Sequence, residues 1–213
     1  MLMEIGCVAS QRVSGTEGYK EEAEDLLVRY ERRAFADLHK SIMHLVPKEP
    51  CHVLDIGAGT GRDAAGFAAL GHRVLAVEPT EPLRNGGMAL HPSPLIEWVD
   101  DSLPKLALIM ARQERFEVVM MTAVWMHLDE RQRRQAMPRV ASLVSERGVL
   151  IMSLRHGPVP EGRRMFAVSS EETVQLAGKQ NLRSIINLGG MPDHSGRVDV
   201  SWTRLAFRSS VVP

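Results

Sequence analysis

The sequence predicts an α/β protein built on a doubly wound sheet of seven strands, mostly parallel, with an antiparallel hairpin at its C-terminal edge. Three observations predict it. From His52 onward, short apolar runs alternate with stretches of helical periodicity, which is the signature of parallel strands joined by crossover helices. The first run ends in an acid and a glycine-rich turn. The last two runs are joined by a short turn-rich link, too short for a crossover to a parallel strand.

Residues Met1 to Thr16 read as a loose lead-in. From Glu17 to Val46 the apolar residues Ala23, Leu26, Leu27, Tyr30, Ala34, Phe35, Leu38, Ile42 and Leu45 recur at helical steps. They predict one cap helix over 17–46, ended by Pro47 and Pro50. A core over 51–208 follows. His52–Ile56 is the first strand and Gly61–Leu70 its helix, stopped by Gly71. Val74–Val77 is the second strand, Pro82–Leu90 a short helix, Leu95–Val99 the third strand and Leu103–Arg112 a helix. Phe116–Met121 is the fourth strand and Asp129–Val144 a helix with Asp129 as its N-cap. Gly148–Leu154 is the fifth. A loop over His156–Arg163 leads to a helix at Ser170–Gly178, opened by the capping signal Ser169-Ser170-Glu171-Glu172. Leu182–Leu188 and Val198–Phe207 form the edge hairpin. The 213 residues make one domain.

The composition is that of an ordinary globular chain, with 44% hydrophobic and 24% charged residues. Twenty-six basic residues balance 26 acidic ones, so the formal net charge is zero. A dedicated nucleic-acid binder usually carries a basic excess. The run Arg131, Arg133, Arg134 reads as a solvated helix face. Cys7 and Cys51 have neither disulfide nor metal spacing, and Cys51 reads as a small buried residue. No signal peptide and no membrane-length apolar run stands out, so a reduced, cytoplasmic setting is the expectation.

The turn after the first strand carries the chemistry. Val53-Leu54-Asp55-Ile56 runs into Gly57-Ala58-Gly59-Thr60-Gly61, and Glu78 closes the second strand. Alternating glycines let backbone come close to a ligand and adopt positive φ. An acid after the second strand is the kind of group that grips a ribose diol. A nicotinamide-binding turn would read G-x-G-x-x-G, but its last glycine position here is Arg62. The spacing instead resembles motif I of the class I S-adenosylmethionine-dependent methyltransferases, whose fold is Rossmann-like. The resemblance extends from about Tyr30 to Phe207. It includes Glu78, the acid pair Asp100-Asp101 after the third strand, and Thr122-Ala123-Val124-Trp125-Met126-His127-Leu128 after the fourth.

The resemblance implies S-adenosyl-L-methionine as the cofactor. Gly57, Gly59 and Gly61 would cradle its methionine part. Asp55 would hold its ammonium, directly or through water, and also cap the turn amides. Glu78 would take the ribose hydroxyls. Asp100 or Asp101 would meet the adenine amino group, with Asp101 preferred, and one of them could cap the next helix instead. Thr122 falls in the fourth of the cofactor motifs. Arg62 reaches the cofactor carboxylate or stays exposed, and Tyr30 closes over the cofactor or packs in the core.

The acceptor would sit beyond the fourth and fifth strands. His127 and His156 are the candidate general bases, because histidine titrates near neutral pH; either could equally be an anchor for its loop. Arg155 suits an anionic group of the acceptor, and Trp125 either stacks on a ligand or packs under the following helix. No N-P-P-Y or D-P-P-Y motif and no Pro-Cys nucleophile follows the fourth strand. The leading expectation is methyl transfer to the O, N or S of a small-molecule acceptor. The alternatives are a non-catalytic cofactor-binding protein, a methyltransferase acting on RNA or protein, and, disfavoured by Arg62, a nicotinamide-dependent dehydrogenase.

Overall fold

Strand side chains alternate between faces, and the apolar residues of this chain fill both. Leu54 and Ile56, Leu75 and Val77, Val119 and Met121, and Leu150, Met152 and Leu154 belong to one buried cluster. Val53, Val74, Val118, Met120, Val149 and Ile151 belong to another. A sheet apolar on both faces must be covered by helices on both, and it is. The computed structural model describes residues 13–193 and 195–210.

The strands are β1 (His52–Ile56), β2 (Arg73–Val77), β3 (Ile96–Val99), β4 (Phe116–Thr122), β5 (Val144–His156), β6 (Leu182–Pro192) and β7 (Ser201–Ser209). They lie in the order β3-β2-β1-β4-β5-β7-β6. The first five pair in parallel, and β7 pairs antiparallel with both β5 and β6. The winding reverses between β1 and β4, the switch point where ligands of such sheets bind. Helices α5 (Ala107–Ala111), α6 (Glu130–Ser142) and α7 (Ser170–Gly178) pack on the first cluster, and α3 (Arg62–Ala69) on the second. Helix α4 (Glu81–Leu90) buries Leu83 against Ala23 and Leu26 of α1 (Ala23–Arg29). The predicted caps of α6 and α7 are present: Asp129 accepts from the Gln132 amide at 2.8 Å and Ser169 from Glu172 at 3.1 Å.

The edge hairpin is shifted, β6 running on to Pro192 and β7 spanning Ser201–Ser209 instead of Val198–Phe207, and the fold differs from expectation at four further places. The cap helix over 17–46 is broken into α1, a 3-10 turn at Tyr30–Arg32, α2 (Phe35–His39) and a second 3-10 turn at Met43–Leu45. Its apolar residues go to separate places: Leu26 packs on α4, Phe35 stands edge-on to Phe67 at 4.8 Å, and Ile42 reaches the sheet core. One straight helix cannot reach all three, so tertiary packing overrides the period. Helix α5 begins at Ala107 instead of Leu103, because Leu106 is left-handed (φ 48°) and Asp101 captures the amides that open the helix. Strand β5 begins at Val144, ahead of the expected Gly148, across a shift in its register with β4. Cys51 is half-buried, with its Sγ 3.2 Å from His72 Nδ1. The lead-in up to Arg12, Cys7 included, lies outside the described residues. Among those residues no helix is long and apolar enough to cross a membrane.

Candidate active site

A cavity of about 910 Å³ opens beyond the carboxyl ends of β1, β2, β4 and β5. Its floor is the glycine turn. The Gly57 and Ala58 amides donate to the Val77 carbonyl at 2.8 and 3.0 Å, which ties the turn to the end of β2. Gly59 is left-handed (φ 58°), and a Cβ there would point into open space with only the Tyr30 ring, at 3.9 Å, within reach. A side chain at Gly59 would fill the space over the turn.

Two acids flank the turn. Glu78 is buried and accepts from the Gly59 amide at 2.9 Å and the Thr80 amide at 2.8 Å. Burial raises its pKa, and those amides and Arg84 oppose the rise. Asp55 is buried on the cavity wall, and its Oδ2 has no hydrogen-bond partner among the described residues. Burial first, and then the neighbouring Asp63 carboxylate, push Asp55 well above the usual carboxylate range. Asp63 is opposite in character. Despite its burial, His39, Arg62 and Thr122 hold it below that range. It receives His39 Nε2 at 2.9 Å and the Thr122 hydroxyl at 2.7 Å. His39 Nδ1 in turn accepts from Arg204 at 2.9 Å. A chain of polar contacts thus runs from β7 through α2 to α3 and β4.

Of the adenine candidates, Asp101 lines the cavity and Asp100 lies outside it, paired with Arg84 at 3.1 Å. The Asp101 carboxylate is largely engaged as a cap, accepting the amides of Ser102, Ala107, Leu108 and Ile109. Thr122 lines the cavity but spends its hydroxyl on Asp63. Arg62 also binds Asp63 and donates to the Tyr30 carbonyl at 3.2 Å, which leaves Tyr30 beside the turn.

On the acceptor side, Trp125 and His156 are corrected. Trp125 is fully buried in the apolar cluster and does not line the cavity. The 3-10 turn at Trp125–His127 tucks it beneath the sheet end and presents Met126 and His127 instead. His156 does not line the cavity either. It follows Arg155 on β5, and neighbouring strand residues face opposite sides. Arg155 takes the cavity side with Ser153, so His156 turns away and bonds Thr203 Oγ1 at 2.8 Å.

His127 lines the cavity with both ring nitrogens engaged. Nδ1 lies 2.9 Å from the Arg164 carbonyl, which can only accept, so Nδ1 carries the proton. Nε2 is therefore the acceptor, and it receives the Tyr19 hydroxyl at 3.0 Å. Burial lowers the His127 pKa and keeps the ring neutral, and burial raises Tyr19 strongly. Arg163 stacks over Tyr19 with its guanidinium carbon 4.1 Å from the ring centre and pairs with Glu22 at 2.8 Å. Residues 13–33 and the loop before α7 thus meet across the cavity mouth.

Sequence reasoning missed Tyr19, Asp63, His39 and Arg204. Asp63 followed Arg62 at the helix start and could have been found as an acid at the first turn. The other three carry no local signal. Among the described residues, no group of three or more His, Cys, Asp or Glu could hold a metal ion.

Residues 53–148 match the family model described as "Methyltransferase domain". No curated protein sequence matches the chain. Solved structures do. One is 1,6-didemethyltoxoflavin-N1-methyltransferase of Burkholderia thailandensis, with bound 1,6-didemethyltoxoflavin and S-adenosylhomocysteine. It is 20% identical, covers 95% of this chain and 93% of its own, and has a TM-score of 0.65. N-methyltransferase NodS of Bradyrhizobium japonicum WM9, in complex with S-adenosyl-l-homocysteine, is 14% identical over 91% of this chain and 100% of its own, with a TM-score of 0.68. Magnesium protoporphyrin IX methyltransferase of Synechocystis PCC 6803, with bound S-adenosylmethionine, is 13% identical over 95% and 87%, with a TM-score of 0.65.

Proposed function

We propose that the protein, whose residues 53–148 match the methyltransferase-domain model, is an S-adenosylmethionine-dependent methyltransferase of class I and that it methylates a small molecule at an O, N or S atom. The observation that carries the small-molecule reading is the roof of the cavity. Tyr19 on His127, and Glu22 on Arg163, close residues 13–33 against the opposite wall. A nucleic acid or protein chain would have to part them. The cavity also lies near the upper end of the roughly 300–1,000 Å³ of small-ligand sites.

The cofactor supplies an activated methyl group on a cationic sulfur. The chain's own residues have to bind and orient the reactants, which can account for roughly 7–11 kcal/mol of the barrier. The cavity fits the group. The space above Gly59 admits the methionine part, and the unpartnered Asp55 Oδ2 is a buried acceptor for its ammonium. Glu78 takes the ribose hydroxyls, and Asp101 with the backbone beside it borders the adenine. Thr122 acts at one remove, by holding Asp63. Tyr30 covers the turn.

For an acceptor whose proton must leave, the route runs through Tyr19. Its hydroxyl occupies His127 Nε2, so the acceptor meets the phenol oxygen first and the proton passes on to His127. The direct-base role of His127 thereby becomes that of a proton reservoir behind Tyr19.

The test is thermal unfolding with added S-adenosylmethionine, S-adenosylhomocysteine or NAD. At 100 times its dissociation constant a ligand adds about 2.7 kcal/mol of stability. Both sulfur ligands stabilise and NAD does not; stabilisation by NAD alone overturns the reading. A screen of small acceptors for S-adenosylhomocysteine release then tests the acceptor class, and turnover confined to RNA or protein overturns it.

Asp55 adds a pH dependence with a definite sign. Its folded-state pKa is raised, so the ligand-free fold gains stability from it below the ordinary Asp value of about 3.9 and loses that gain as pH rises through the raised value. An ammonium binds only the ionised carboxylate, so cofactor affinity increases with pH through the same window. Calorimetry with S-adenosylhomocysteine should therefore find tighter binding at neutral than at mildly acidic pH. Asp55→Asn should flatten the profile and weaken neutral-pH binding about tenfold or more, the equivalent of one charge-assisted hydrogen bond.

A further inference from the structure

Arg155 is a buried cation without a counterion. It is 8% exposed and faces the cavity. Its Nη1 donates to the Pro158 carbonyl at 2.9 Å, and its Nε and Nη2 have no partner among the described residues. No carboxylate oxygen of those residues lies within 4.0 Å of it.

The groups around it do not fill the gap. Asp193, close by on the β6–β7 link, is already engaged. Its carboxylate binds Arg197 through two contacts of 3.0 Å and also accepts from Trp202 Nε1 at 2.9 Å. Arg197 is itself a like-charged neighbour of Arg155, and Asp199 is exposed and beyond ion-pair distance. Two other cavity arginines have carboxylates, Arg62 on Asp63 and Arg163 on Glu22, and the buried Arg204 spends its Nη atoms on His39 Nδ1 and the Leu38 carbonyl, whereas Arg155 keeps one edge free. The free edge of the guanidinium opens on the cavity, where no anion of the described residues meets it, so it is placed to receive a partner from outside the chain.

We propose that the methyl acceptor carries a carboxylate, received by Arg155 through Nε and Nη2. This rests on the methyltransferase reading above. The free edge of the guanidinium offers two parallel N–H groups, the geometry that matches a carboxylate bidentately. The cofactor's own carboxylate is not the partner. The glycine turn ends β1 and Arg155 ends β5, with β4 between them. Neighbouring strands are about 4.8 Å apart, which separates the two strand ends by about 10 Å. Arg62, at the turn itself, is the nearer cation.

The experiment uses protein saturated with S-adenosylhomocysteine and matched neutral and acidic probes. The pairs are benzoate with benzamide and indole-3-acetate with indole-3-acetamide, measured by calorimetry. Acids bind at least tenfold more tightly than their amides. Arg155→Met abolishes that preference, and Arg155→Lys restores only part of it, because an ammonium lacks the two-pronged edge. The affinity for S-adenosylhomocysteine stays within twofold in both variants. Equal responses to acids and amides, including no response to either, overturn the proposal. So does a loss of S-adenosylhomocysteine binding in Arg155→Met, which would assign the guanidinium to the cofactor. A wild-type protein that does not bind S-adenosylhomocysteine at all removes the underlying reading instead.

Discussion

Replacing Glu78 by alanine weakens S-adenosylhomocysteine binding by about a hundredfold or more. A carboxylate on two ribose hydroxyls makes charge-assisted bonds of about 1.5–3 kcal/mol each, and each 1.4 kcal/mol is a factor of ten in affinity. The same side chain also holds the turn through the Gly59 and Thr80 amides, so part of the loss is a loosened cradle. Ligand-free stability falls by no more than about 2 kcal/mol, since the lost bonds are offset by removal of a buried charge. Glu78→Gln, which keeps one acceptor oxygen, falls between the two proteins. Calorimetric titration of the three, with unfolding of each without ligand, separates the effects. Unchanged affinity in Glu78→Ala would remove the ribose contact and with it the strongest support for the cofactor geometry.

The largest stability effect is expected at Arg133. Its neighbours Arg131 and Arg134 sit on the solvated face of α6, and Arg134 pairs with Glu130 one turn away. Arg133 is instead only 4% exposed. Its Nε and Nη2 hold the Glu172 carboxylate at 3.0 and 2.9 Å, and Nη1 donates to the Leu128 carbonyl. One guanidinium therefore binds α6 to α7 and fixes the end of the segment that carries His127. Removing one partner of a buried pair costs about 3–5 kcal/mol. Glu172 retains some contact with water, so Arg133→Ala should lie near the lower end, about 3 kcal/mol. For a chain of this size that is roughly 6–12 °C in Tm. Arg131→Ala serves as the control and should change stability by less than about 0.5 kcal/mol. Equal, small effects from both would return Arg133 to the solvated face.

Arg133 also illustrates what was legible in the sequence. The helix, its cap and its charged run were readable from local pattern, but which arginine turns inward depends on where α7 packs. The glycine turn and Glu78 were legible because their geometry is local: one strand, one turn, one acid at the next strand end. Period two placed Arg155 and His156 on opposite faces, yet only the neighbouring β7 and the cavity decide which side is wet. Trp125 carried the same ambiguity over a 3-10 turn. The broken cap helix was illegible because its apolar residues follow a helical period while serving three separate packing sites. Tyr19 and His127 stand 108 residues apart, and His39 and Arg204 165 apart. No window along the chain spans such pairs.

That last separation bears on how the protein comes to be made. The two halves of the cavity have unequal histories. The turn, Glu78 and Asp63 all lie within residues 53–148 and pair through short parallel crossovers. Arg155 and Arg204 belong to β5 and β7, and β7 must insert between β5 and β6. Contacts so distant in sequence form slowly, because the loop must close before any contact rewards it. A nascent chain emerging from the ribosome therefore shapes the end with the glycine turn and Glu78 first. The end with Arg155 and Arg204 is completed only after β7 has been synthesised and seated between β5 and β6, so the cavity waits on the last strand of the sheet.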